Sequence, residues 1–118
     1  MNDIITAIMK LRINPVIEEY ELQIKIADVL EREGLSFKKE YKLAPRNRVD
    51  FFIDGIVIEV KKGKPYGRQV IEQVRRYSEY EEVKGVILVV EKNLDLPREV
   101  NGKPCMSLGL NKLWGIAL

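Results

Sequence analysis

Residues 48–62, Arg-Val-Asp-Phe-Phe-Ile-Asp-Gly-Ile-Val-Ile-Glu-Val-Lys-Lys, leave this chain little conformational choice. Asp-Gly between two alternating runs is the signature of a two-residue β-hairpin turn, because both positions need left-handed backbone that these residues tolerate. With Asp54 and Gly55 as the turn, Ile53 faces Ile56 and, counting outwards, Asp50 faces Glu59. Alternation sends Val49, Phe51, Ile53, Ile56, Ile58 and Val60 to one wholly apolar face, which must be the buried one. Arg48, Asp50, Phe52, Val57, Glu59 and Lys61 share the other.

The flanking sequence supplies helices and one more buried strand. Residues 3–12 form a short helix with Ile4, Ile5, Ile8 and Leu11 on one side, punctuated by Pro15. A longer helix runs from about Val16 to Glu33 on a stripe of Leu22, Ile26, Val29 and Leu30, and Gly34 stops it. Phe37–Leu43 reads as a strand, residues 44–47 as a turn, and Arg48–Lys61 as the hairpin. Tyr66–Glu82 is helical in propensity and length, and the continuous apolar run Gly85–Val90 is a strand buried on both faces. A helix linking two strands over about two dozen residues can cross over and set them parallel. The expected fold class is therefore α/β, a single mixed β-sheet flanked by helices in the order α-β-β-β-α-β, with its core at about 16–90. In the tail, 93–118, Met106–Leu110 reads as a further strand and Leu113, Trp114 and Ile116 as packing on the core.

Composition bounds the chemistry. At 118 residues, 46% hydrophobic and 32% charged, the chain is expected to be one domain. It has no histidine, which excludes Ser-His-Asp triads, histidine-ligated zinc and imidazole general bases. The single cysteine, Cys105, cannot form an internal disulfide and reads as a small buried hydrophobe. No apolar stretch reaches the roughly 18 residues that a membrane helix needs, and the start of the chain has an early acid and no small-residue cleavage site, so no membrane partner and a cytoplasmic location are expected. The formal net charge of +2 hides a segregation. Between Lys38 and Arg76 there are eleven basic residues against five acidic, an excess of six, and the rest of the chain is acidic by four.

Two carboxylates directly opposite on a hairpin lie about 4.5–5.5 Å apart at Cβ and repel, unless something positive sits between them. A divalent cation is the obvious partner, and hard oxygen ligands of this kind suit Mg²⁺ or Mn²⁺. Lys61, two residues beyond Glu59 on the same face, brings an ammonium to the edge of such a centre. A solvated charged hairpin is the plainer alternative, but it has to place two acids opposite each other and Arg48 opposite Lys61.

Asp50, followed after eight residues by Glu59-Val60-Lys61, between one helix and a crossover helix, resembles the active-site signature of the PD-(D/E)XK nuclease superfamily. That superfamily includes many restriction endonucleases and the archaeal Holliday-junction resolvases, and the resemblance spans roughly Glu18 to Val90. It implies a restriction-endonuclease-like core in which Asp50, Glu59 and the Val60 carbonyl hold Mg²⁺ while Lys61 assists the water nucleophile. The proline that often precedes the aspartate is Val49 here. Glu21 on the long helix resembles the acid that many members bring to the metal through water, with Glu18 and Glu19 as competitors, and pairing of Glu21 with Lys25 is the plainer reading. Gln73 resembles a glutamine placed near the scissile phosphate, with Tyr77 one turn later. Arg48, Lys62, Lys64, Tyr66 and Arg68 form a candidate nucleic-acid rim.

The expected function is that of a Mg²⁺-dependent endonuclease acting on nucleic acid, with DNA as the substrate and Mn²⁺ as a substitute metal. A homodimer would place two such sites on two strands. The alternatives are a non-catalytic nucleic-acid-binding module, or a subunit of a larger nuclease complex that keeps the fold.

Overall fold

The computed structural model describes residues 1–11, 18–62, 67–91 and 94–109. Helices α1 (Asn2–Ile8) and α2 (Glu19–Arg32) precede strands β1 (Lys38–Ala44), β2 (Asn47–Ile53) and β3 (Ile56–Lys61). Helix α3 (Gly67–Ser78) leads to β4 (Gly85–Val90), β5 (Glu99–Val100) and β6 (Lys103–Gly109). The six strands form one mixed sheet in the order β1-β2-β3-β4-β6-β5. β1, β2 and β3 pair antiparallel, whereas β3, β4 and β6 run parallel. No helix of the described residues is long and apolar enough to cross a membrane.

Helices cover both faces of this sheet. One layer packs Ile4, Ile8, Leu22, Ile26 and Leu30 of α1 and α2 on Phe51, Ile53, Ile56, Ile58, Val60, Ile87 and Val89. The other packs Val70, Val74 and Tyr77 of α3 on Val57, Val86, Leu88, Val90 and Cys105. β4 thus divides its side chains between the two layers, which is why its sequence is continuously apolar rather than alternating. Burying a Leu- or Ile-sized side chain is worth about 1.5–3 kcal/mol, so these two layers provide the stability against which any costly polar feature must be set.

The hairpin turn forms as the sequence dictates: Asp54 and Gly55 have φ of 46° and 87°, and Ile53 pairs with Ile56, Phe52 with Val57 and Phe51 with Ile58. One expectation about its faces fails. Val49 lies in the α3 layer together with Val57 and Phe52, not with Phe51 and Ile53. The cause is a break in alternation at the next residue: the β1–β2 pairing skips Glu40 and Asp50, and Glu40 sits at φ 48°. A left-handed residue kinks its strand and turns the side chains beyond it to the other face.

Other elements differ from expectation mainly at their ends. α1 stops at Ile8, although Leu11 is still buried, and α3 ends at Ser78 rather than near Glu82. The C-terminal strand starts three residues earlier than expected and is half of a second hairpin. Its turn is Asn101-Gly102, at φ 52° and 76°, the same signal that marks residues 54–55. Pro15, Val16, Lys64, Tyr66, Leu113, Trp114 and Ile116 lie outside the described residues.

α2 ends in a Schellman motif. Leu35 N–H donates to the Leu30 carbonyl and Gly34 N–H to that of Glu31, with Gly34 at φ 75°. A Cβ on Gly34 would meet no atom within 4 Å, so its substitution tests backbone conformation alone. Gly34→Ala is expected to destabilise the fold by about 1–2 kcal/mol, the cost of a left-handed non-glycine residue, read as a lowered melting temperature.

Candidate functional site

The β2–β3 ladder stops at Phe51 and Ile58, one step short of the two acids. Beyond that point the strands are joined through side chains. Asp50 N–H donates to Glu59 Oε1 at 2.9 Å, and Val60 N–H donates to Asp50 Oδ2 at 2.8 Å. Each carboxylate thereby takes a backbone donor from the opposite strand in place of a ladder bond. β3 itself continues paired to β4 through Glu59, Val60 and Lys61, so the acids sit where one strand leaves and the other is held.

This position is poorly solvated. Glu59 is 5% exposed and Asp50 half-buried. Burial first, and then the negative charge of Asp50, push the Glu59 carboxyl up to about 7; the Asp50 N–H and Lys61 only partly offset this. Asp50 is raised in the same direction, again mainly by burial, against the lowering effects of the Val60 N–H and Lys61. Lys61 Nζ lies 3.8 Å from Glu59 Oε2, beyond hydrogen-bond reach but close enough to attract it.

Other elements bring further groups to this fork. Glu19, in the first turn of α2, accepts a hydrogen bond from Lys62 N–H at 3.0 Å, and its charge acts on both Asp50 and Glu59. Glu21 is exposed and, among the described residues, forms neither a contact with the acids nor an ion pair with Lys25; Glu18 is the exposed N-cap. Of the three acids, Glu19 is the one whose interactions reach the fork among the described residues.

From α3, Gln73 Nε2 donates to the Tyr77 hydroxyl at 2.8 Å, which in turn donates to the Arg48 carbonyl at 3.4 Å. Burial and the nearby Glu59 charge push the Tyr77 phenol up to about 12, so it remains a neutral donor at any ordinary pH. The sequence marks Tyr77 only as a neighbour of Gln73. It is a buried link between α3 and the strand carrying Asp50.

The expected nucleic-acid rim divides. Arg48 and Arg68 are exposed, whereas Lys62 is half-buried with its ammonium 2.8 Å from Glu91. Lys64 and Tyr66 lie outside the described residues. Among the described residues no group of three or more His, Cys, Asp and Glu side chains is gathered as a ready-made metal cluster. The donor chemistry nevertheless fits a hard divalent ion that keeps several waters and takes two protein carboxylates. One oxygen of each acid is fixed by backbone. Asp50 Oδ1 receives no hydrogen bond from the described residues, and Glu59 Oε2 has only the distant Lys61.

The pH dependence of the metal-free fold follows from the raised carboxyls. Below the ordinary glutamate value of 4.5 Glu59 is neutral in both folded and unfolded chains; between 4.5 and about 7 only the unfolded chain gives up its proton. Stability contributed by this group is thus fully present at low pH and is lost as pH rises through about 7. In EDTA, melting temperature is expected to fall between pH 4.5 and 7.5. Glu59→Gln should flatten the fall and exceed the wild type at pH 8 by up to about 3 kcal/mol.

No protein-family model, curated protein or solved structure matches this chain.

Proposed function

We propose that the chain is a Mg²⁺-dependent phosphodiesterase that cuts DNA, built on a restriction-endonuclease-like core and working through a PD-(D/E)XK site. The single observation that carries this reading is the Asp50–Glu59 pair: two carboxylates, one almost fully buried, held face to face by reciprocal backbone bonds at the fork of two strands. Repulsion and desolvation make such an arrangement unfavourable in isolation, and a bound cation removes both causes.

Bound there, Mg²⁺ would polarise a phosphoryl oxygen and lower the pKa of its own water. The chain's residues have the remaining tasks. Asp50 and Glu59, with the Val60 carbonyl, hold the ion. Among the described residues Lys61 is the cation beside Glu59, in position to orient a water nucleophile and to stabilise charge that develops on phosphorus. Glu19 fixes the backbone at Lys62, directly after Lys61, and adds a carboxylate at the rim of the centre. Gln73 is anchored at its amide nitrogen by Tyr77, which leaves its carbonyl oxygen as the acceptor. One such site cuts one strand, and a homodimer would supply the second.

Incubated with duplex, single-stranded, flap and four-way-junction DNA, the wild type is expected to nick at least one substrate in Mg²⁺ or Mn²⁺ and none in EDTA. Asp50→Ala and Glu59→Ala should abolish cutting, and Lys61→Ala should slow it by about 10²–10⁴-fold. If Asp50→Ala cuts as fast as the wild type, the assignment is wrong. Salt-sensitive binding without cutting in either metal would point instead to the non-catalytic binding module.

A second comparison separates the two α2 acids. Glu19→Gln should lower the cleavage rate by about 10–100-fold, the size typical of a group that supports a metal centre from outside, while Glu21→Gln has a much smaller effect. Single-turnover rates of the two variants check this directly.

A further inference from the structure

The two edges of the sheet are built differently. β1 forms one edge and carries Lys38, Lys39 and Lys42, charges of the kind that discourage pairing with another chain. At the other end β5 has only two residues and pairs with β6 at Lys103 and Pro104 alone. One more bond follows, from Cys105 N–H to the Arg98 carbonyl at 2.9 Å, and from there on β6 is paired, among the described residues, only to β4. Backbone groups alternate sides along a strand, so those of Ser107 and Gly109 point outwards as those of Cys105 do, and among the described residues no strand lies beside them. The stretch Cys105–Gly109 has neither a charge nor a proline to guard it.

Two further observations fall at the same place. Ser107 Oγ is, among the described residues, the one buried side-chain oxygen or nitrogen without a hydrogen-bond partner. Alternation from Cys105 puts it on the α3 face, in one row with Leu88 and Glu59. Beside it a cleft of about 370 Å³ separates residues 105–107 from Leu94, Asp95, Leu96 and Arg98. Asp95 and Arg98, both exposed, set one acid against one base, so the cleft carries no net charge. On the other face Met106 is 40% exposed, next to Leu108, which packs on the layer of α1 and α2.

We propose that this edge is a docking site for an extended, uncharged segment of a partner protein, which joins the sheet as a further strand alongside Ser107–Gly109. The segment's backbone takes the outward groups of Ser107 and Gly109. A Ser, Thr or Asn set opposite Ser107 supplies the partner its hydroxyl lacks, and apolar residues on either side lie against Met106 and Leu108. A second copy of β6 does not fit this place: the two-fold register that sets Ser107 against itself brings Gly109 opposite Cys105, whose outward N–H is already held by Arg98. In the row of Glu59, Leu88 and Ser107 the added strand lies three strand spacings, about 14 Å, from Glu59, so docking leaves the Asp50–Glu59 pair open and is independent of the nuclease reading.

Random peptides displayed on phage and selected against the full chain are the probe. The selected sequences are expected to share a Ser, Thr or Asn between apolar residues, and a synthetic peptide of that consensus should slow amide hydrogen exchange at Ser107 and Gly109. Ser107→Ala separates the site from the fold. It removes an unsatisfied hydroxyl, so the free protein should melt at a higher temperature, while calorimetric titration shows the peptide binding about 3–10-fold more weakly. Ser107→Pro takes away the outward N–H but no bond to β4, and should abolish peptide binding in a protein that still folds.

A selection that returns no peptides, or peptides that bind the wild type and both variants equally well, overturns the proposal. Self-association of the wild type that Ser107→Pro abolishes, measured by sedimentation, overturns it too, because the edge then belongs to a second copy.

Discussion

Two hydrogen bonds that are not part of any ladder determine how this sheet is used. Where Asp50 and Glu59 meet, the β2–β3 backbone pairing gives way to a reciprocal exchange in which each acid accepts a main-chain N–H of the other strand. The exchange satisfies backbone donors that the parting strands would leave unpaired, and an unmade bond at a buried group costs about 1–3 kcal/mol. It also fixes both carboxylates to a rigid frame, since β3 is held to β4 through these same residues. Precision here comes from strands and not from loops.

Raising two carboxyl groups above their ordinary range is unfavourable, and the rest of the molecule makes it tolerable. The layer beneath α1 and α2 and the layer beneath α3 together bury nearly every aliphatic side chain of β3 and β4. The kink at Glu40 and Asp50 lets both layers reach the fork: Phe51 seals one face and Val49, one residue on the other side of Asp50, seals the other. A regular strand would send both to the same side. The local irregularity that defeats the simple alternation rule is thus the feature that encloses the acids in apolar surroundings on two sides.

How much of this was legible follows from which rules are local. The Asp54-Gly55 turn specifies its own backbone, so the hairpin and the facing of Asp50 and Glu59 could be read directly from the chain. β4 was equally legible, because only a strand buried on both faces is continuously apolar. The Asn101-Gly102 turn carries the same information, although the prolines of the tail obscure it. What could not be read is non-local. The inverted face of Val49 depends on a left-handed Glu40 on the neighbouring strand, and no rule for β2 alone contains it. Which acid of α2 reaches the fork is non-local too: Glu19 stands apart from Glu18 and Glu21 through the hydrogen bond it accepts from Lys62 N–H, a contact with the end of β3 that no helix pattern contains.

β2 now stands out as the strand on which local rules are broken twice in succession. It sets Arg48 against Lys42 of β1 and, two residues later, Asp50 against Glu59 of β3. Sequences that fold well keep their local choices consistent, and adjacent violations concentrate where something other than folding has selected the residues. The two violations have opposite sign. No simple ion relieves both, because a cation that quiets the acids does nothing for the bases, and an anion does the reverse.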